Sequence, residues 1–418
     1  MTNRFACLTG CLALLISAPA SAEEFPANML FVASHDGDDV LLLDPASKSP
    51  AKVRGEVASP LLDAPADLAF GPDGLLYVLS SGSGEVQAFA PEGGDPVVRF
   101  GAGSGLLSPV GIAVTPDGEI CLGDSDLGEV RIYSRNGALL RTVDVDGTPA
   151  AVAFGPDGHL FVVASNRGFI QEFDPSGMPV RSFGQGSALQ EAGGMVAPGD
   201  GRLLVSSVTT NSILVFDGEG NVVDELGVGS DLDEPAGLTI GPDGNYYVAN
   251  RGDNKIVVLD PSGAQVKSFG KNLEDPVAVA FAPFRFSFAA KGAVAGDDGL
   301  TKGVKQPGVL SFQPGSSTVM LSFDTSGQDA VSAGIGQDTV VIPGIEARED
   351  AGDKTRRLHG TWVPDDGAAQ GFASLAITIK GKPDKRGFFQ VKSADGQFFQ
   401  GGAGGVFIGS ARTNKRLK

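Results

Sequence analysis

Pro235-Ala236-Gly237-Leu238-Thr239-Ile240-Gly241-Pro242-Asp243-Gly244-Asn245-Tyr246-Tyr247-Val248-Ala249-Asn250 is the stretch whose reading decides the fold. Its first half is a short strand of small and apolar residues. Pro242-Asp243-Gly244 then forms a turn: Pro presets φ, Asp caps locally, and Gly takes the last position. Tyr246 to Ala249 is a second strand, and Asn250-Arg251-Gly252-Asp253-Asn254 is a polar loop. Lys255 to Asp260 is a third strand. Pro261-Ser262-Gly263 turns the chain into a fourth, Gln265 to Phe269. The apolar residues follow no 3.6-residue period, so the unit is four antiparallel strands and not a helical one.

The unit recurs. Pro72-Asp73-Gly74, Pro116-Asp117-Gly118 and Pro156-Asp157-Gly158 share its context, and Pro198-Gly199-Asp200-Gly201 is a variant. Asp73, Asp117, Asp157, Asp200 and Asp243 lie 44, 40, 43 and 43 residues apart. Four strands per period of this length make a propeller blade. Five units are complete, starting near 65, 109, 149, 192 and 235. Asn28 to Pro60 lacks a first strand, and Pro276 to Phe281 is a first strand without successors. Pairing residues 276–283 with the N-terminal strands gives an all-β, six-bladed β-propeller over 23–284 with no free edges.

The stretch 235–250, with Asn254-Lys255-Ile256 and Phe269-Gly270, resembles an NHL repeat, and the likeness covers residues 28–284. NHL-type propellers include scaffolds, RNA-binding proteins, lyases and lactonases, so the resemblance fixes a fold more than a function. It implies a mouth where the loops joining strands two and three meet those joining successive blades. Strand two ends in Ser34, Ser80, Asp124, Ser165, Ser207 and Asn250, followed by His35, Ser81, Ser125, Asn166, Val208 and Arg251. Arg167 and Arg251 stand in two Asn-Arg-Gly loops that suit an anionic group, because Arg gives forked hydrogen bonds to a carboxylate. The ligand-binding candidates are therefore His35, Asp67, Ser81, Asp124, Asn166, Arg167, Asn250 and Arg251.

Catalytic readings find less. The related amidating lyases use converging histidines. Here His35 falls at the mouth, His159 at the opposite end and His359 outside the propeller. A gluconolactonase-like calcium site would draw on Asp67, Asp124 and Asn250, although the Glu-bearing first-strand motif of those enzymes is absent. Asp36-Gly37-Asp38-Asp39 lacks the spacing of a calcium loop and reads as a hairpin turn. The expected function is non-catalytic binding or scaffolding of a protein or small anionic ligand. A calcium-dependent lactonase or hydrolase at the channel mouth is the alternative. No cofactor is required, with calcium as the possible exception.

Composition supports this outline. The 418 residues include 60 Gly and 26 Pro, as a chain of strands and tight turns needs. The net charge of −18 weighs against nucleic acid, whose phosphates need a positive field. Arg285 onward carries 17 basic and 13 acidic residues, so the first 284 hold −22. That shift marks a boundary, with a smaller all-β sandwich or barrel expected over 285–418. Its strand candidates include 308–313, 317–323, 338–342, 372–380, 386–393 and 397–400, with Glu346 to Arg357 as an exposed loop. Trp362 is expected in its core, and Lys415-Arg416-Leu417-Lys418 at a solvated terminus. Residues 1–22 read as a signal peptide ending Ala20-Ser21-Ala22, which implies export to the periplasm or beyond. No transmembrane segment follows. Cys7 and Cys11 leave with the leader, and Cys121 remains as a small core residue.

Overall fold

The computed structural model describes residues 29–283, apart from short stretches at 46, 48–52, 58–60, 91–93, 116–117, 156, 199 and 271–272, and the backbone of ten further strands. The signal peptide, Trp362 and Lys415–Lys418 lie outside the described residues. Among the described residues no helix is long and apolar enough to cross a membrane.

Six four-stranded antiparallel sheets form the blades. Their inner strands are Pro65–Phe70, Pro109–Val114, Pro149–Phe154, Ala192–Val196, Pro235–Ile240 and Pro276–Phe281, for blades two to six and then blade one. Each inner strand touches the next, and the last returns to the first, so the ring is closed. Closure follows the expected pairing. Pro276–Phe281 lies antiparallel to Leu30–Ser34, with Leu30 opposite Phe281 and Val32 opposite Val279.

Period-two alternation builds the packing. Phe31 and Ala33 face blade two, in a cluster with Leu68, Phe70, Leu76 and Val78. Leu30 and Val32 face blade six, against Tyr247, Ala249, Ile256 and Val258. All four residues from Leu30 to Ala33 are fully buried. Successive side chains leave opposite faces of a strand, so one apolar run serves two inter-blade cores. Cys121 fills such a core with Val130, Ile132 and Val162, and burial pushes its thiol pKa up.

The closing glycines of the turns take the left-handed backbone that the reading requires. Gly74, Gly118, Gly158, Gly201 and Gly244 take φ between 79° and 87°. In blades two and six the turn aspartate also accepts a hydrogen bond from a tyrosine on strand two. Tyr77 donates to Asp73 at 2.8 Å and Tyr247 to Asp243 at 2.9 Å.

Beyond the propeller lies a sheet of ten strands. Its order is Thr339–Ile342, Val319–Phe323, Gly299–Phe312, Phe284–Gly296, Val406–Arg412, Phe388–Ser393, Leu375–Lys380, Thr355–Gly360 and Glu346–Asp350, with Gln397–Gln400 also paired to Val406–Arg412. One expectation is corrected. Within Glu346 to Arg357, residues Glu346–Asp350 and 355–357 are strand and not loop, Glu346–Asp350 pairing with Thr355–Gly360, while 351–354 lie outside the described residues. Charge density misled the reading: Glu349 and Arg356 stand directly opposite one another, and opposite charges favour such a pairing.

Candidate functional site

Six hairpin loops stand at one end of the ring: 35–38, 81–84, 125–128, 165–168, 208–211 and 251–254. Each has four residues. The first amide of every loop donates to the linker from the preceding blade. His35 bonds Asp275, Ser81 bonds Ala64, Ser125 bonds Ser108, Ser165 bonds Thr148, Val208 bonds Glu191 and Arg251 bonds Glu234, at 2.9–3.3 Å. The last residue of every loop has positive φ: Asp38, Gly84, Gly128, Gly168, Asn211 and Asn254, between 50° and 69°. Glycine adopts this backbone freely, and Asn and Asp tolerate it better than other residues.

The three loops without glycine there add a latch. Asp38 accepts the amide of Ala64, Asn211 that of Glu234 and Asn254 that of Asp275, at 2.7–3.0 Å. Ala64, Glu234 and Asp275 themselves have φ of 48–53°, each immediately before a proline. Backbone of this kind persists only where surrounding bonds over-determine it. Here the loop residue of one blade holds the entry to the next.

Asp275 thereby projects into the mouth, where the first-position residues of blades one and six flank it. Arg251 forks onto it, Nε to Oδ1 at 2.7 Å and Nη2 to Oδ2 at 2.9 Å. His35 Nδ1 lies 3.6 Å from Asp275 Oδ2 and 3.2 Å from Asp36 Oδ1. His35, Asp36 and Asp275 are near enough to share a metal ion, with the Arg251 guanidinium competing for Asp275. Sequence reasoning named His35 and Arg251 but missed Asp275. The one clue to it was the closure pairing, which brings the residue before Pro276 beside the end of Leu30–Ser34.

Several other candidates serve the scaffold. Asp124 is fully buried, and its carboxylate accepts the amides of Leu107, Ser108, Asp126 and Leu127 at 2.8–3.2 Å. Asn250 is also fully buried. It accepts the Asp233 amide at 2.7 Å and donates to the Asp231 carbonyl at 3.0 Å. Ser34 and Ser207 make the same kind of bond to the preceding linker. The Ser81 hydroxyl donates to the Ala64 carbonyl, and Asn166 accepts the Thr148 amide, both at 2.8 Å. The strand-end polar residues thus fasten loops to linkers before they offer anything to a ligand.

Blade four requires a correction. The residue opposite Pro149 is Ala164, whereas Asn250 lies opposite Pro235, so Asn166 is two positions out of step with Asn250. The two Asn-Arg-Gly tripeptides are therefore not equivalent. Gly168, not Gly252, takes the positive-φ place. Arg167 occupies the third loop position and meets Asp146 at 3.1 Å, with both side chains more than half exposed. His159 is held by Glu172 at 2.7 Å, near the turn at the other end of its blade.

Asp67 stands apart. The position two residues into each inner strand is Gly111, Ala151, Gly194, Gly237 and Ala278 in the other blades. There is little room at that level: a Cβ at Gly237 would come within 2.7 Å of the Ala278 Cα. Asp67 instead reaches to the neighbouring blade and accepts the Ile112 amide at 2.9 Å, as well as the Leu68 amide at 2.8 Å. Burial among the inner strands pushes its pKa up to about 7, and the two amides pull the other way. With Asp124 and Asn250 committed to linkers, Asp67 alone of the calcium trio lines the inner ring.

No protein-family model matches the sequence, and no curated protein matches it. Solved structures do. A protein of unknown function from Bacteroides caccae is 14% identical, with a TM-score of 0.50 over 60% of this chain and 97% of that one. A chain of the nidogen/laminin complex is 18% identical, with a TM-score of 0.51 over 61% and 98%. A streptogramin B lyase is 16% identical, with a TM-score of 0.48 over 71% and 90%. At such identities the likeness is one of fold.

Proposed function

We propose that the chain is an exported, NHL-like propeller whose mouth recognises a protein or small anionic ligand without transforming it. The supporting observation is the set of six loops with one length and one backbone course but different side chains. A rigid frame with variable positions suits recognition. Within it, His35 and Arg251 supply donors on either side of Asp275. Arg167 is the easier cation to recruit, because an exposed pair such as Arg167–Asp146 is held by only about 0–1 kcal/mol. A thermal-shift screen of dicarboxylates and acidic peptides is the test. At least one should raise the unfolding temperature of the wild type and do so less in Arg167→Ala/Arg251→Ala. Equal shifts in both proteins would retire the reading. Lactone hydrolysis abolished by chelation would replace it with a calcium hydrolase.

A further inference from the structure

Backbone register divides the C-terminal sheet into two unlike faces. Residues directly opposite one another in antiparallel strands share a face. Lys305 lies opposite Lys291, and Lys291 opposite Ser410. Two residues further along that strand, Arg412 lies opposite Gln390, and Gln390 opposite Thr378. Thr378 lies opposite Arg357, and Arg357 opposite Arg348. These positions form one row across seven strands, about 29 Å long at ~4.8 Å per strand. Lys302, Lys380 and Lys392 occupy the same face beside the row. The row itself contains no acidic residue. Glu346 and Asp350 share the face, two positions either side of Arg348 in the last strand.

Two features of the row point to a ligand. Lys291–Lys305 and Arg348–Arg357 are like charges placed directly opposite each other, which destabilises an antiparallel pair unless an anion lies between them. Ser410, Gln390 and Thr378 separate the two cationic ends, with Arg412 beside them, so charge is interspersed with neutral hydrogen-bonding groups. Phenylalanines 284, 286, 288, 312, 389 and 407 all fall on the other face. On the row's face the register places Phe388, opposite Lys380, and His359, two positions from Arg357. They stand on strands that are not neighbours, so among the described residues no run of adjacent rings is there to stack successive bases, the usual device for single strands.

We propose that this row binds an acidic polysaccharide, a linear chain bearing both carboxylates and hydroxyls. The site rests on the C-terminal sheet alone and is independent of the propeller mouth. The test uses the full chain and measures binding of a galacturonate oligosaccharide, a neutral galactan oligosaccharide, a single-stranded DNA oligonucleotide and phosphatidylglycerol vesicles. The oligogalacturonate should bind best, and binding should weaken as salt screens the charges. Lys291→Gln/Lys305→Gln and Arg348→Gln/Arg357→Gln should each weaken it about tenfold, the loss of roughly 1.4 kcal/mol. Their unfolding midpoints should equal or exceed the wild type's, because repulsion is removed. Lys291→Arg/Lys305→Arg should keep binding, which separates charge from folding if a Gln variant misfolds. Binding no better than neutral galactan, Gln variants that bind like the wild type, or preference for the oligonucleotide or vesicles would overturn the assignment.

Discussion

Asp67 shows what one carboxylate does when five equivalent positions are Gly or Ala. Its pKa of about 7 in the folded chain lies above the ordinary carboxylate value of 3.8. The folded state therefore keeps a proton that the unfolded chain releases, and this group's contribution to stability falls as pH rises from about 4 to about 7. Asp39 behaves likewise, pushed up to about 6 by burial first and then by Glu56, Glu274 and Asp38. Asp67→Ala should fold, since Ala151 and Ala278 occupy the same level. Relative to the wild type, its unfolding midpoint should climb between pH 4 and 7 and then level off. Parallel midpoint-versus-pH curves would show that Asp67 carries no such penalty. The residue was legible in the sequence as an oddity on an inner strand. Its partner was not, because the Ile112 amide belongs to the next blade and lies 45 residues away.

Strands and turns were the most readable elements. Pro-Asp-Gly can do little but turn, and an orphan first strand at Pro276 requires a partner at the chain's start. The loops were less readable, because Ser, Asp and Asn look alike whether they face a ligand or satisfy nearby backbone. Asp124 and Asn250 do the latter. Counting from strand ends also failed in blade four, where Ala164 gives no polar marker. The latch between loop and linker yields a graded prediction. Asn254→Ala loses the bond to the Asp275 amide, worth about 0.5–1.5 kcal/mol, and adds a left-handed backbone cost of roughly 1 kcal/mol. Asn254→Gly loses only the bond. Urea midpoints should therefore fall in the order wild type, Gly, Ala. A Gly variant less stable than the Ala variant would contradict the backbone argument.

The whole ring depends on Leu30–Ser34. Removing residues 29–34 strips four large side chains, Met29, Leu30, Phe31 and Val32, from two inter-blade cores at about 1.5–3 kcal/mol each. That is comparable with the entire ~5–15 kcal/mol that stabilises an ordinary domain. The truncated chain should lack a cooperative urea transition by circular dichroism; an unchanged midpoint would mean that the closure is dispensable. The same feature sets a timetable. Leu30 emerges from the ribosome early, yet Phe281 follows 251 residues later. At ~5–20 residues per second that is a wait of roughly 10–50 s. Throughout it, Leu30–Ser34 can pair with Asp39–Leu43 on one edge, but its other edge stays open and Leu30 and Val32 lack their blade-six core, so the nascent chain is a natural client for chaperones until Pro276–Phe281 is translated.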